Sequence, residues 1–124
     1  MKRFLKKEET YKIIGACMEV HKRLGRGFLE IVYKDALEYE FKIKNIPFRR
    51  EVKYEVTYRD IILPHYFYAD FVCFDNIILE IKATNGFAEE FYKQTLNYMA
   101  IAQSPVGLLV NFGKDSLDYK RLVL

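Results

Sequence analysis

An aspartate and a Glu-x-Lys tripeptide place charge where the neighbouring residues argue for strand interior. Asp70 precedes the apolar run Phe71 to Phe74, Asp75-Asn76 break it, and Ile77-Ile78-Leu79-Glu80-Ile81-Lys82 follows. Side chains alternate along a strand, so Glu80 and Lys82 share one face while Leu79 and Ile81 take the other. Whether Asp70 joins them depends on the turn. A two-residue turn at Asp75-Asn76 would pair Phe74 with Ile77 and leave Asp70 on the face away from Glu80. A three-residue loop of Phe74, Asp75 and Asn76, with Asn76 left-handed, pairs Cys73 with Ile77 and sets Asp70 opposite Glu80. The second register is the expected one. Two carboxylates and a lysine on one strand surface meet the needs of metal-assisted phosphodiester hydrolysis. Hard oxygens hold Mg²⁺, which keeps several waters, and an ammonium can orient the attacking one. The plainer alternative is a partly buried Glu80–Lys82 ion pair with Asp70 as a strand-end acid, an arrangement that desolvation makes costly for little stability.

The surrounding elements must position these groups. Tyr11, Ile14, Cys17 or Met18, His21 and Leu24 recur at helical spacing and predict a first helix from about Glu8 to Leu24. Gly25-Arg26-Gly27 closes it, because glycine reaches the positive φ that ends a helix, and Leu29, Val32, Tyr33, Ala36, Leu37 and Phe41 restart the pattern at once. Glu30 falls in the first turn of this second helix, where the dipole favours an acid by well under about 1 kcal/mol; read alone, it is helix-end electrostatics. After Asn45-Ile46-Pro47 a strand is expected from Arg50 to Tyr58, then a turn at Arg59-Asp60 and a second strand from Ile61 to Phe74. Pro64 cannot donate to a ladder, so that strand starts near His65 or is bulged there. His65 reads as an exposed edge residue rather than a general base.

From Gly86 a helix carries Phe87, Phe91, Thr95, Tyr98 and Ile101 or Ala102 on one side, with Glu89, Glu90 and Lys93 outward. Gln94 and Tyr98 share a face one turn apart, which by spacing alone means core edge and surface. The apolar run Val106 to Phe112 fits a buried strand, Lys114-Asp115-Ser116 a turn, and Tyr119 to Val123 a last strand. The stretch Gly107 to Lys114 only mimics a P-loop: five residues separate its glycines, and Asp115 stands where Ser or Thr should hold Mg²⁺. Ser104 and Ser116 lie at predicted loops without an identifiable base, which excludes a serine nucleophile.

The 124 residues fit one domain over 1–124, and an apolar fraction of 51% argues for a packed core rather than disorder. A formal charge of +3 permits a nucleic-acid partner without arguing for one. Lys22, Arg23 and Arg26 could contact phosphates, although a solvated basic face is the commoner meaning of such a run. Cys17 and Cys73 lack the close spacing of a zinc or redox motif and read as buried thiols of a reducing compartment. The start, Met1 to Glu9, has a basic flank but no apolar segment after it, and no later stretch approaches a membrane span, so a soluble, cytoplasmic chain is expected.

Asp70, nine residues, then Glu80-x-Lys82 resembles the core of the PD-(D/E)XK nuclease superfamily. Gly27-Phe28-Leu29-Glu30-Ile31-Val32-Tyr33, followed by Ala36-Leu37-Glu38-Tyr39-Glu40, resembles the signature of the small prokaryotic proteins named for a G-x-x-E-x-x-Y or G-x-x-E-x-x-R motif, which are classed in that superfamily. The likeness extends to Met18-Glu19-Val20-His21 and to Gly107 through Gly113. Gln94-x-x-x-Tyr98 resembles the Gln-x-x-x-Tyr motif of the RecB-type branch. The resemblance implies a nuclease-like α/β fold: a mixed sheet of four to five strands, two leading helices, and one helix after the catalytic strand. It implies a metal site of Asp70, Glu80 and the Ile81 carbonyl, with Glu30 as a ligand or a contact to a metal-bound water. Lys82 would position the attacking water, and Gln94 and Tyr98 would support it. Mg²⁺, or alternatively Mn²⁺, is the implied cofactor, and nucleic acid, DNA before RNA, the implied partner. With no separate reading domain in so short a chain, specificity is expected from a homodimer, an unidentified protein partner or substrate shape. The rival expectation is a catalytically silent module that keeps the fold and binds nucleic acid or protein.

Overall fold

A computed structural model describes residues 6–124; the reading of Met1 to Leu5 as a basic flank lies outside the described residues. Two helices lead, α1 (Lys7–Leu24) and α2 (Glu30–Ile43), then β1 (Phe48–Tyr58), β2 (Ile61–Cys73) and β3 (Ile77–Lys82), helix α3 (Glu89–Ala102), and finally β4 (Val106–Asn111) and β5 (Asp118–Val123). The five strands form one mixed sheet in the order β1-β2-β3-β4-β5. All neighbours are antiparallel except β3 and β4, which are parallel across the α3 crossover. None of the described helices is long and apolar enough to cross a membrane.

Helices cover both faces of the sheet. On one side Ile13, Cys17 and Val20 of α1 and Tyr33, Leu37 and Phe41 of α2 pack on Phe71, Leu79, Ile81, Leu108 and Val110. On the other, Tyr98 and Met99 of α3 cover Ala69, Val72 and Ile78. Sandwiched between, the parallel pair reads as unbroken apolar runs, and every residue of β4 is buried. Gly107 admits α3 to that face, since a Cβ there would stand 2.5 Å from the Met99 sulfur. Cys17 and Cys73 are both free and buried.

The helix breaks follow local chemistry. Gly25, at φ 70°, caps α1 by donating its N–H to the His21 carbonyl. Asn45, at φ 57°, ends α2, and the Ile46 N–H returns to the Phe41 carbonyl at 2.9 Å. Two boundaries differ by more than one residue from expectation. The first strand begins two residues early, at Phe48, and the third helix begins at Glu89 instead of Gly86, because a bend closed by the Thr84 hydroxyl on the Gly86 carbonyl precedes it. The second strand runs through Pro64, and the ladder shifts register between the Tyr58–Ile61 end and the Glu55–Tyr66 pair, which is the bulge that proline required.

The β2–β3 connection has the expected register, Cys73 opposite Ile77, but not the expected backbone. Phe74 (φ 49°) and Asp75 (φ 70°) take the left-handed conformation, and Asn76 does not. The Phe74 N–H donates out of the loop to the Pro47 carbonyl at 2.9 Å, and this anchor fixes the turn from its first residue.

Candidate active site

The site begins with the placement of Glu30. The chain leaves α1 through Gly25-Arg26-Gly27, and the Tyr33 side chain reaches back over this loop: its hydroxyl donates to the Gly25 carbonyl at 2.6 Å and accepts from the Phe28 N–H at 3.2 Å. The fully buried Tyr33 ring stacks on Phe112 with centroids 4.7 Å apart. Those contacts fix the entry into α2, so Glu30, its first residue, is set toward the sheet, and Lys34 lies one turn on along the same face.

The centre is a fork. β2 and β3 pair only at Cys73–Ile77, Val72–Ile78 and Phe71–Leu79. Beyond Leu79 the ladder is replaced by side chains. Glu80 Oε2 accepts the Asp70 N–H at 2.8 Å, and Asp70 Oδ2 accepts the Ile81 N–H at 2.8 Å. Each carboxylate therefore stands in for a backbone acceptor, which keeps the parted strands satisfied. The other Asp70 oxygen, Oδ1, accepts from Lys34 Nζ at 2.9 Å, and Lys34 also donates to Glu51. Asp70, Glu80 and Lys34 are all buried.

Glu51 lies across from Asp70 in the β1–β2 ladder, between the Arg50–Phe71 and Val52–Ala69 pairs. It sits at φ 52° in mid-strand, which is costly for a non-glycine residue. The sheet changes faces at this point: Phe71 enters the α1/α2 core, whereas Ala69 joins the core under α3. The left-handed residue accommodates that switch and brings a carboxylate to Lys34.

The acids act on one another. Burial, then the neighbouring Asp70 charge, pushes the Glu80 carboxyl up to about 9. Glu30 is raised for the same two causes in the same order. Burial, followed by the Glu80 and Asp70 carboxylates, pushes the Tyr98 phenol up to about 12. Burial alone would lower the Lys34 ammonium, but hydrogen bonds to Glu51 and Asp70 outweigh it and the net direction is upward.

Lys82 follows Glu80 on the same face. Its ammonium donates to Gln94 Oε1 at 3.2 Å and lies 4.6 Å from the centre of the Phe91 ring, so α3 holds it through both an amide and an aromatic face. The chain beyond is clamped: buried Asn111 accepts from the Thr84 N–H and donates to the Thr84 carbonyl, at 2.9 and 3.0 Å, while the Phe112 N–H reaches the Lys82 carbonyl at 2.8 Å. A Cβ at Gly113 would fall 2.2 Å from the Thr84 oxygen, so only glycine allows this approach.

The structure thus gathers Glu30, Asp70, Glu80, Lys82, Gln94 and Tyr98 around one fork. It does not bring His65 there, which is exposed on β2. Arg23 and Arg26 pair with Glu19 and Asp115 instead. Sequence reasoning missed Lys34 and Glu51. Lys34 had a signal, four residues after Glu30. Glu51 had none that could be used, because the Arg59-Asp60 turn read without the Pro64 bulge sets Arg49, not Glu51, across from Asp70.

Among the described residues, no three His, Cys, Asp or Glu side chains converge into a ready cation cage. Both Asp70 oxygens are already engaged, by Lys34 and by the Ile81 N–H. The donor chemistry still fits a hard divalent ion: buried carboxylate oxygens from Asp70 and Glu80, with Glu30 beside them, repel one another and gain from a shared cation.

A family model described as the PD-(D/E)XK nuclease superfamily matches residues 7–122. No curated protein matches the sequence. Among solved structures, the crystal structure of SSO0001 is similar, with a TM-score of 0.61 at 19% identity, covering 74% of this chain and 49% of that one. This chain therefore spans about half the length of that neighbour, and the likeness concerns the fold. With a mixed five-stranded sheet flanked by helices and a model match across nearly all of its length, the chain belongs to the PD-(D/E)XK nuclease superfamily.

Proposed function

We propose that residues 1–124 form one nuclease-like domain of the narrower G-x-x-E-x-x-Y group, and that it hydrolyses phosphodiester bonds of nucleic acid, DNA first, with Mg²⁺ or Mn²⁺. The observation that carries the reading is the fork itself: two buried acids exchange hydrogen bonds with strand backbone in place of a ladder, with a lysine held beside them. A protein does not bury Asp70 and Glu80 side by side for stability, since desolvation and like charge both oppose it.

Asp70, Glu80 and the Ile81 carbonyl would hold the divalent ion, with Glu30 at its water shell. When bound, the ion supplies Lewis acidity toward the phosphate and a more acidic water. The protein does the positioning. Gln94 and the Phe91 face keep the Lys82 ammonium at the mouth of the fork, where it orients the attacking water. Tyr98, raised to about 12, stays protonated at neutral pH and serves as a hydrogen-bond donor, not as a base. Glu30, with its raised carboxyl, takes up a proton more readily than an ordinary glutamate. A homodimer or protein partner would add specificity.

One observation favours the second reading, a silent nucleic-acid- or protein-binding module: the Lys34 ammonium already neutralises Asp70. Incubation with supercoiled, linear and single-stranded DNA and with RNA, in Mg²⁺ or Mn²⁺ against EDTA, separates the two. The nuclease reading expects metal-dependent cutting that disappears in Glu80→Ala and Lys82→Ala. No cutting of any substrate, together with no divalent-ion binding by the wild type, would leave the binding module.

A further inference from the structure

We infer that Lys34 is the resident counter-ion of the acid fork: a divalent cation must displace its ammonium from Asp70, and Glu51 retains the ammonium when that happens. The inference rests on the metal-dependent reading above and assigns a role to two residues that reading does not use.

Three observations carry it. Lys34 Nζ is the ammonium that touches a fork carboxylate, donating to Asp70 Oδ1 at 2.9 Å, whereas Lys82 donates to Gln94. The Lys34 side chain is only 9% exposed, so its charge is committed to partners rather than to water. Glu51 supplies the second partner from the rim, its side chain 46% exposed, so Lys34 has an acceptor outside the fork. An ammonium and a divalent ion drawn to one carboxylate oxygen repel each other and compete for its electron density. Competition follows from the geometry. Because Lys34 sits on α2 one turn beyond Glu30, a small swing of its four-carbon stem toward Glu51 frees Asp70 without moving the helix.

Lys34 is therefore a positioning residue. It holds Asp70 in place while no ion is bound, and it sets the threshold at which an ion enters. Calorimetric titration of Mn²⁺ into wild type, Lys34→Met and Lys34→Arg tests this, beside trace acetylation of wild-type Lys34 read by peptide mass spectrometry with and without Mg²⁺. Lys34→Met should bind Mn²⁺ about tenfold more tightly, within the usual span of coupling between competing ligands. Its melting temperature should fall without metal and recover with it. Lys34→Arg, which keeps the charge, should stay near wild type, and Mg²⁺ should raise Lys34 acetylation in the wild type. Mn²⁺ binding by the wild type that is equalled or weakened in Lys34→Met, or Lys34 acetylation indifferent to saturating Mg²⁺, would overturn the counter-ion role alone. If neither wild type nor Lys34→Met binds Mn²⁺, the metal-dependent reading falls with it; the acetylation arm needs no variant to fold.

Discussion

Strand β3 has two unlike edges. Toward β4 it is paired at all six residues, Ile77–Val106 through Lys82–Asn111. Toward β2 it is paired at three, after which Asp70 and Glu80 replace backbone groups as acceptors. One edge is a continuous ladder between apolar layers, the other a gap filled by acids. The difference teaches how a small domain buries carboxylates at all: parting two strands creates unsatisfied N–H groups, and those donors are what the carboxylates accept from. The closed edge carries stability, and under the proposed function the open edge trades some of it for chemistry.

Substitutions can break that contrast in graded steps. Leu108→Ala, opposite Leu79 on the closed edge, should cost about 2–5 kcal/mol in denaturant unfolding and leave Mn²⁺ affinity unchanged. Glu80→Gln should do the reverse. It keeps an acceptor for the Asp70 N–H but needs no proton on folding, as Glu80 does at pH 8 with its carboxyl raised to about 9, so the metal-free protein should gain about 1–4 kcal/mol there. The sign follows from the raised carboxyl. Its ordinary value is 4.5 and its folded value about 9, so the associated stability is complete below the ordinary value and is lost as pH rises through about 9. Wild-type melting temperature should therefore fall between pH 5 and pH 9 in EDTA, and the Glu80→Gln profile should be flatter.

Smaller effects probe what holds the open edge in place. Tyr33→Phe loses the hydrogen bonds to Gly25 and Phe28 and should cost about 1–2 kcal/mol, with a fall in cleavage because Glu30 loses its fixed entry into α2. Gln94→Ala, on the exposed side of α3, should change stability by less than about 0.5 kcal/mol. Its cleavage rate should still drop about tenfold, as when a ligand's supporting partner is removed.

Much of this was legible in the residues. Period-2 and period-3.6 patterns place every element within a few residues, and the three-residue connection puts Asp70 opposite Glu80, the register that sets both acids on one strand surface. The left-handed positions were not legible: asparagine tolerates that conformation best, yet Phe74 and Asp75 adopt it, since the Phe74 N–H is held by the Pro47 carbonyl across the sheet. Glu51 was hidden for a similar reason. Its place opposite Asp70 depends on the Pro64 bulge, whose residue count no local signal gives. That Asp70 and Glu80 would bond strand backbone, rather than merely face each other, is a product of the splay, and the splay is a tertiary event.

The central claim is that the open edge gives up stability for metal-dependent hydrolysis, and Glu80→Gln tests both halves in one protein. Melting at pH 8 in EDTA and DNA cleavage in Mg²⁺ should move in opposite directions, the melting temperature rising above wild type while cleavage is lost. A variant that still cuts DNA at the wild-type rate, or that melts lower than wild type at pH 8, would contradict it.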